Sequence, residues 1–292
     1  MTRQFEYLRP ESIEAAIDMK VEHGSRGRFW AGGTDMMLLW QRRAVDFDYC
    51  IDLTYIKALR FIEMDSSALR IGAMATLDDL DLKSGLNSAL TVLGETARLM
   101  NTKQTRTIAT VGGNLCHASP SADLTPPLIA MGTQVRLRGS EGERVIPLEE
   151  FHTGVNQTVL TDGEMVTEFL VPRVNEKLAA SYNRIARTVV DIALVSAAVC
   201  LRLDDARTVQ YAGVALGAVG PTAIRAIDAE KTLTGLPLEE LANGSVQVAG
   251  EQASMAARAI SDIRASQEFR TNMTSVMTQR SISRCIEILE DI

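Results

Sequence analysis

The chain lacks most of the residue patterns that announce a chemistry. Its four cysteines, Cys50, Cys116, Cys200 and Cys285, lie far apart and form no CxxC or CxH spacing. Thiolate-held clusters, zinc knots and disulfide frameworks need closer or paired cysteines, so no iron, zinc or disulfide is expected and the thiols are read as reduced. Neither GxGxxG nor GxxxxGK[ST] occurs, which removes the Rossmann and P-loop ways of holding a diphosphate. Cations are outnumbered, with 30 Lys+Arg against 37 Asp+Glu and a net charge of -7. Such a field repels polyanions, and nucleic acid is not an expected partner. Long apolar runs are missing too: the longest, 192–201, is broken by Ser196 and is about half of the roughly 20 residues that span a bilayer. The first eight residues, MTRQFEYL, contain no apolar core of a secretory signal, so the mature protein is expected to begin there and to be cytoplasmic.

What the sequence does hold is a matched pair of glycine-glycine segments. They are Ala31-Gly32-Gly33-Thr34-Asp35 and Ala109-Thr110-Val111-Gly112-Gly113-Asn114. Without a Cβ, successive N–H groups can turn toward one point and an anion can approach the chain. Thr and Asn add side-chain donors to the same place. With the global charge unfavourable, an anionic ligand has to be held locally by backbone dipoles and a few donors, which is what two such segments offer. Each could also be a tight strand-to-helix turn at positive φ.

The 292 residues, 46% of them hydrophobic, suffice for two domains, placed here at 1–174 and 175–292 with the boundary near Val174. Residues 11–23 carry Ile13, Ile17 and Val21 at helical spacing between Pro10 and Gly24, predicting a capped amphipathic helix. The spacing then predicts a strand at Arg28-Phe29-Trp30, a short buried helix at 36–40, and strands at 49–53 and 68–73. Thr76 with Asp79 three places on reads as a helix start, and a helical signal runs over 86–100. The second glycine segment is expected to precede a helix at 123–131, whose Pro126 and Pro127 fit only its first turn. Strands follow where Val135 and Leu137, then Met165, Thr167, Phe169 and Val171, alternate with other residues. Strand-like runs continue at 192–203 and 208–219. Alanine-rich helices are expected at 223–233, 238–241, 253–260 and from Ser266 to the C-terminus.

Three stretches together resemble a family: AGGTD at Ala31 to Asp35, RTIATVGGNLCHASPSADLTPPLIA at Arg106 to Ala130, and Tyr182 through Arg187 to Asp191-Ile192-Ala193. They look like the FAD-binding medium subunit of the molybdenum hydroxylases, the xanthine dehydrogenase and carbon monoxide dehydrogenase group. The resemblance spans essentially the whole chain and is carried mainly by the second stretch. It implies an α+β fold: an FAD-binding domain of the PCMH (vanillyl-alcohol-oxidase-like) type made of two α/β subdomains, about 1–55 and 56–174, plus a small C-terminal domain with an antiparallel sheet and helices.

The resemblance further implies an oxidoreductase subunit that binds FAD and oxidises no substrate itself. A molybdenum-pterin large subunit would hydroxylate the substrate, and two iron-sulfur clusters of a small subunit would pass electrons to FAD and on to NAD+, oxygen or another acceptor. The implied assembly is a dimer of heterotrimers. Carried over by position, Ala31, Gly32, Gly33, Thr34 and Asp35, with Thr110, Val111, Gly112, Gly113 and Asn114, would wrap the diphosphate from two sides, mainly by N–H groups. Phe29 and Trp30 would lead into the first loop, Asp123 would meet the ribose, Met165 would cover the flavin ring, and Arg184 would stand where many members have lysine. Each has a plainer alternative. Asp123 could cap a helix, Arg184 and Arg187 could pair with Asp191 or other acids, and Phe29, Trp30 and Met165 could be core. Cys116 and His117 are adjacent, which does not suit a tetrahedral metal. No residue is assigned a catalytic role, since electron exchange at a flavin is the cofactor's own chemistry. Two other functions remain open: a stand-alone FAD-dependent reductase of the same fold, disfavoured by the missing acid–base constellation, and a non-catalytic nucleotide-binding assembly module.

Overall fold

Local signals start the elements where side chains can satisfy helix ends. The computed structural model describes residues 4–172 and 177–292; the boundary expected near Val174 lies outside the described residues. A first layer is built from β1 (Glu6–Leu8), α1 (Ile13–His23), β2 (Gly27–Trp30), α2 (Met36–Gln41) and β3 (Tyr49–Asp52). Its three strands are parallel in the order β1-β3-β2. Ser12 caps α1 by accepting from the Ala15 N–H at 3.1 Å, and Gly24, at φ 52°, ends it. The buried face of α1 is Ala16, Ile17 and Lys20, whereas Val21 is 56% exposed. The periodic apolar reading of Val21 therefore misplaces one edge of the helix, and a lysine occupies the inward position instead.

The second layer comprises β4 (Ile62–Met64), β5 (Ala68–Gly72), α3 (Leu77–Leu82), α4 (Ser88–Leu99), α5 (Lys103–Arg106), α6 (Val111–His117), α7 (Thr125–Ala130), β6 (Gln134–Gly139), β7 (Gly142–Pro147), the ribbon β8 (His152–Gly154) and β9 (Gln157–Thr158), and β10 (Met165–Pro172). Its antiparallel sheet has the order β4-β5-β10-β6-β7. Thr76 and Asp79 form the expected reciprocal cap of α3, at 3.1 and 2.9 Å. The second glycine segment is not a turn ahead of the next helix. Thr110 caps α6, accepting from the Gly113 N–H at 3.0 Å, and Gly112 and Gly113 lie within its first turn. Nor does a strand precede it: α5 leads in, because the Thr102 hydroxyl captures the Thr105 N–H. The prolines sit at the start of α7 as expected.

The C-terminal unit contains β11 (Leu178–Ile185), β12 (Val195–Leu203), β13 (Val209–Gly217), β14 (Ile224–Arg225), α8 (Ile227–Leu233), α9 (Leu238–Glu240), α10 (Val246–Ala256) and α11 (Gln267–Glu290). Its sheet is antiparallel throughout, in chain order. The helix expected at 223–233 starts later, and the one expected at 253–260 lies earlier, at 246–256. Residues 224–225 extend the sheet before α8, with the Ala226 N–H donating to Val214 O. After Ala256 the chain leaves the helix, and the Asp262 carboxylate gathers the N–H groups of Arg264 and Ala265 at 2.8 and 3.1 Å.

Side-chain alternation along the central strands explains how the units join. Ala180, Ala198, Cys200 and Ala215 pack into the core of the second layer, while Ala179, Ala197, Val199, Leu201, Val214 and Leu216 pack into the core formed with α8, α10 and α11. A strand buried on both faces reads as a near-continuous apolar run. The contact is close: Tyr211 donates to Ala130 O at 2.8 Å, and a Cβ at Gly213 would lie 2.0 Å from that oxygen.

Candidate functional site: a groove between the two layers

The segment Ala31–Asp35 leaves β2 and enters α2, and its two glycines have different physical reasons. Gly32 lies flat against another stretch of backbone, where a Cβ would stand 1.9 Å from Ile108 O. Gly33 has φ +69°, and a Cβ there would strike the Trp30 ring at 2.4 Å. Packing and conformation alone thus require both residues. What they do not account for is that the N–H groups of Gly32, Gly33, Thr34 and Asp35 find no acceptor among the described residues. These residues are half-buried or exposed, and a cluster of four backbone N–H groups with no protein acceptor beside a groove is a place for an anion.

The second segment plays another part than the one expected of it. Its N–H groups are already used: Val111 and Gly112 donate to Ala75 O and Ala73 O, Asn114 donates to Thr110 O, and Gly113 donates to the Thr110 hydroxyl. Gly112 packs α6 on the end of β5, with a virtual Cβ 2.6 Å from Ala73 O. Gly113 turns its bare face toward the first loop, where beyond Thr110 the nearest atom to a Cβ is that of Ala31 at 3.9 Å. The Asn114 Oδ1 is buried with no protein partner. So the first loop supplies donors, and the helix supplies a surface without side chains plus one orphaned acceptor.

Two cavities flank this point. One, of about 460 Å³, is lined by Gly33, Thr34, Asp35, Thr110, Gly113 and Asn114, with His117 on the far wall, its Nε2 3.9 Å from Asp35 Oδ1. The other, of about 430 Å³, is lined by Lys20, Gly112, Leu160, Asp162, Met165 and Val166. Both are also bounded by Arg28, Phe29, Met36, Gly113, Cys116 and Asn156, so they form one elongated groove. Sequence reasoning passed over Arg28 and Asn156. Arg28 is exposed on the strand leading to the first loop and has no ion-pair partner among the described residues. Its position directly before Phe29-Trp30 was the available signal; Asn156 gave none. Burial pushes the Cys116 thiol up to about 12, which disfavours the thiolate.

Trp30, Gly32, Val111, Asp123 and Arg184 are not among the residues that line the two cavities. Trp30 packs with Phe5 and Phe47, ring centroids 6.2 and 6.5 Å away. Val111 is buried in the core of the second layer. Asp123 and Arg184 pair with each other at 2.8 Å and are almost wholly buried. Asp123 also accepts from the Tyr182 hydroxyl, so it does not cap α7, whose start has no side-chain cap. Burial raises the Asp123 carboxyl above the usual range, with Arg184 opposing, and burial likewise lifts the Tyr182 phenol. Arg184 reaches further, donating to Val189 O at 2.9 Å and to Leu99 O. Leu99 directly precedes Met100 and Asn101, which line the first cavity. Arg187 pairs with Asp191 at 2.6 Å.

A groove with free N–H donors, an orphaned amide oxygen, a lone arginine and glycines that keep Cβ atoms out fits a dinucleotide, with phosphates at the N–H cluster and ring systems in the cavities. Residues 3–174 match the FAD binding domain in molybdopterin dehydrogenase, and residues 180–285 match the CO dehydrogenase flavoprotein C-terminal domain. The chain belongs to this family, the FAD-binding medium subunits of the molybdenum hydroxylases. It is 29% identical over 280 residues to the carbon monoxide dehydrogenase medium chain of Hydrogenophaga pseudoflava, covering 96% of each. It is 28% identical to the xanthine dehydrogenase FAD-binding subunit of Escherichia coli O157:H7, covering 96% of this chain and 95% of that one. The fold superimposes with TM-score 0.92 on a chain of the Hydrogenophaga pseudoflava carbon monoxide dehydrogenase that lacks the Mo-pyranopterin moiety of the molybdenum cofactor, covering 99% of both at 29% identity. With quinoline 2-oxidoreductase from Pseudomonas putida 86 the TM-score is 0.88 at 28% identity, covering 98% and 99%. The protein is thus an oxidoreductase subunit with an FAD-binding domain. Among the described residues no helix is long and apolar enough to cross a membrane.

Proposed function

We infer that the groove seats FAD and that this chain is the electron-relaying component of a molybdenum hydroxylase. The observation that carries the reading is the set of free N–H groups at Gly32, Gly33, Thr34 and Asp35, opposed by the bare face of Gly113 and the unpartnered Asn114. The free N–H groups and Arg28 hold the diphosphate against the bare face of Gly113, while Asn114 Oδ1 accepts from a hydroxyl or N–H of the ligand. Phe29 and Met165 bound the groove with apolar surface, and Thr110 fixes the helix that carries Gly113. Asp123 and Arg184 pair with each other outside the two cavities. When bound, FAD supplies exchange of one or two electrons, which lets it link single-electron donors to a hydride acceptor. The protein's own part is to orient the ring, exclude water and offset the diphosphate charge. Electrons come from iron-sulfur clusters of a small partner subunit, fed by a molybdenum-pterin large subunit, and leave to NAD+, oxygen or another acceptor. The assembly is a dimer of heterotrimers in the cytoplasm.

The test is titration of the purified full chain with FAD, followed by flavin absorbance and fluorescence. One equivalent bound per chain is expected, with electron uptake only when the partner subunits and their substrate are present. A folded chain that takes up no FAD overturns the reading. Steady NAD(P)H turnover by the chain alone favours a self-sufficient reductase instead.

A further inference from the structure

The cavity beyond Gly113 contains a charged pair that neither the diphosphate nor the core requires. Lys20 lies on the inward face of α1, 7% exposed, in a position that the helical pattern would give to an apolar side chain. Its ammonium donates to Gly24 O at 2.6 Å and to the Asp162 carboxylate. An ammonium carries three donors, so one is left. Asp162 belongs to the loop before β10, across the groove from α1, and its side chain is 65% exposed. Both line the same cavity, whose other walls include Phe29, Leu160, Met165 and Val166. Apolar walls suit the faces of a flat ring, and a donor beside an acceptor suits its edge.

We propose that Lys20 and Asp162 are the residues that make this end of the groove specific for adenine. An adenine edge offers a ring-nitrogen acceptor at N7 next to an amine donor at N6, the complement of an ammonium next to a carboxylate. Guanine keeps N7 but presents a carbonyl oxygen at the neighbouring position, where it would face the carboxylate acceptor to acceptor. The proposal rests on the FAD reading of the groove and puts the adenine, rather than the flavin ring, beside Met165.

The experiment is calorimetric titration of the flavin-free full chain with FAD, ADP and GDP, for wild type, Lys20→Met and Asp162→Asn. Lys20→Met leaves only a water-exposed carboxylate behind, and the Asn side chain in Asp162→Asn still accepts from Lys20, so both variants are expected to fold; circular dichroism checks this. Wild type is expected to bind ADP at least about tenfold more tightly than GDP. Asp162→Asn should bring that ratio toward unity, and Lys20→Met should weaken ADP and GDP alike by about tenfold. An unchanged ADP:GDP ratio in Asp162→Asn, or unchanged ADP affinity in Lys20→Met, overturns the assignment while FAD binding by wild type leaves the flavin reading intact. Failure of wild type to bind FAD sinks the flavin reading itself.

Discussion

At the scale of single residues, the groove separates glycines required by packing from groups free for a ligand. Gly32 has no room for a methyl group, since the obstruction 1.9 Å away is a backbone carbonyl that cannot swing aside. Gly32→Ala is therefore expected to cost about 1–3 kcal/mol in chemical denaturation and to lower FAD uptake by displacing the loop. Arg28 presents the opposite case. It is exposed and without an ion-pair partner among the described residues, so Arg28→Ala should leave the melting temperature within about a degree or two. If the guanidinium meets the diphosphate, FAD affinity should fall about tenfold or more, as loss of a charge-assisted hydrogen bond implies. Equal FAD affinity for wild type and Arg28→Ala would remove Arg28 from the site.

At the scale of elements, the loop between β9 and β10 carries Asp162 and is held by an ion pair. Arg144 on β7 contacts Glu164 at 2.8 Å, and this contact, with the Thr161 N–H, holds the Glu164 carboxyl down at about 2 from an ordinary 4.5. A carboxyl depressed in the folded state contributes stability that is complete above its unfolded value and lost as pH falls through the folded one. Wild type should accordingly lose this contribution between about pH 4.5 and pH 2, seen as a falling urea midpoint. Glu164→Gln should start from a lower midpoint at pH 7 and show a shallower acid decline in that window. Parallel curves for the two proteins would show that the tether carries no stability.

At the scale of the whole molecule, the Asp123–Arg184 pair joins the C-terminal sheet to the FAD-binding layer. Burial takes both charges from water, so removing one leaves the other uncompensated. Asp123→Ala is expected to cost about 3–5 kcal/mol in denaturant unfolding, with Asp123→Asn milder because an amide still accepts a hydrogen bond. A loss of FAD affinity in Asp123→Asn without loss of stability would instead favour direct contact with the ribose. The four-stranded sheet makes such coupling natural, since one of its faces completes the core of the FAD-binding layer. Separating the two units would expose that face, so the chain is expected to unfold as one cooperative body in calorimetry rather than in two transitions.

Local chemistry was legible without coordinates. The cap at Thr76, the helix opening at Ser266, the short strand 28–30 before the first loop, and the prolines opening α7 each follow from interactions between residues within a few positions of one another. So does the pairing of the two glycine segments, because their composition is unusual wherever they lie in space. Long-range contacts determined the rest. Whether a donor in those segments is free or spent depends on Ala73, Ala75 and Ile108, which approach only when β5 and the segment after α5 pack together. The inward lysine of α1 has its partner 142 positions away in the chain, and Asp123 finds Arg184 only because β11 returns across α4. A period of 3.6 tells which residues share a helix face, but the neighbour that meets the face determines whether it must be apolar.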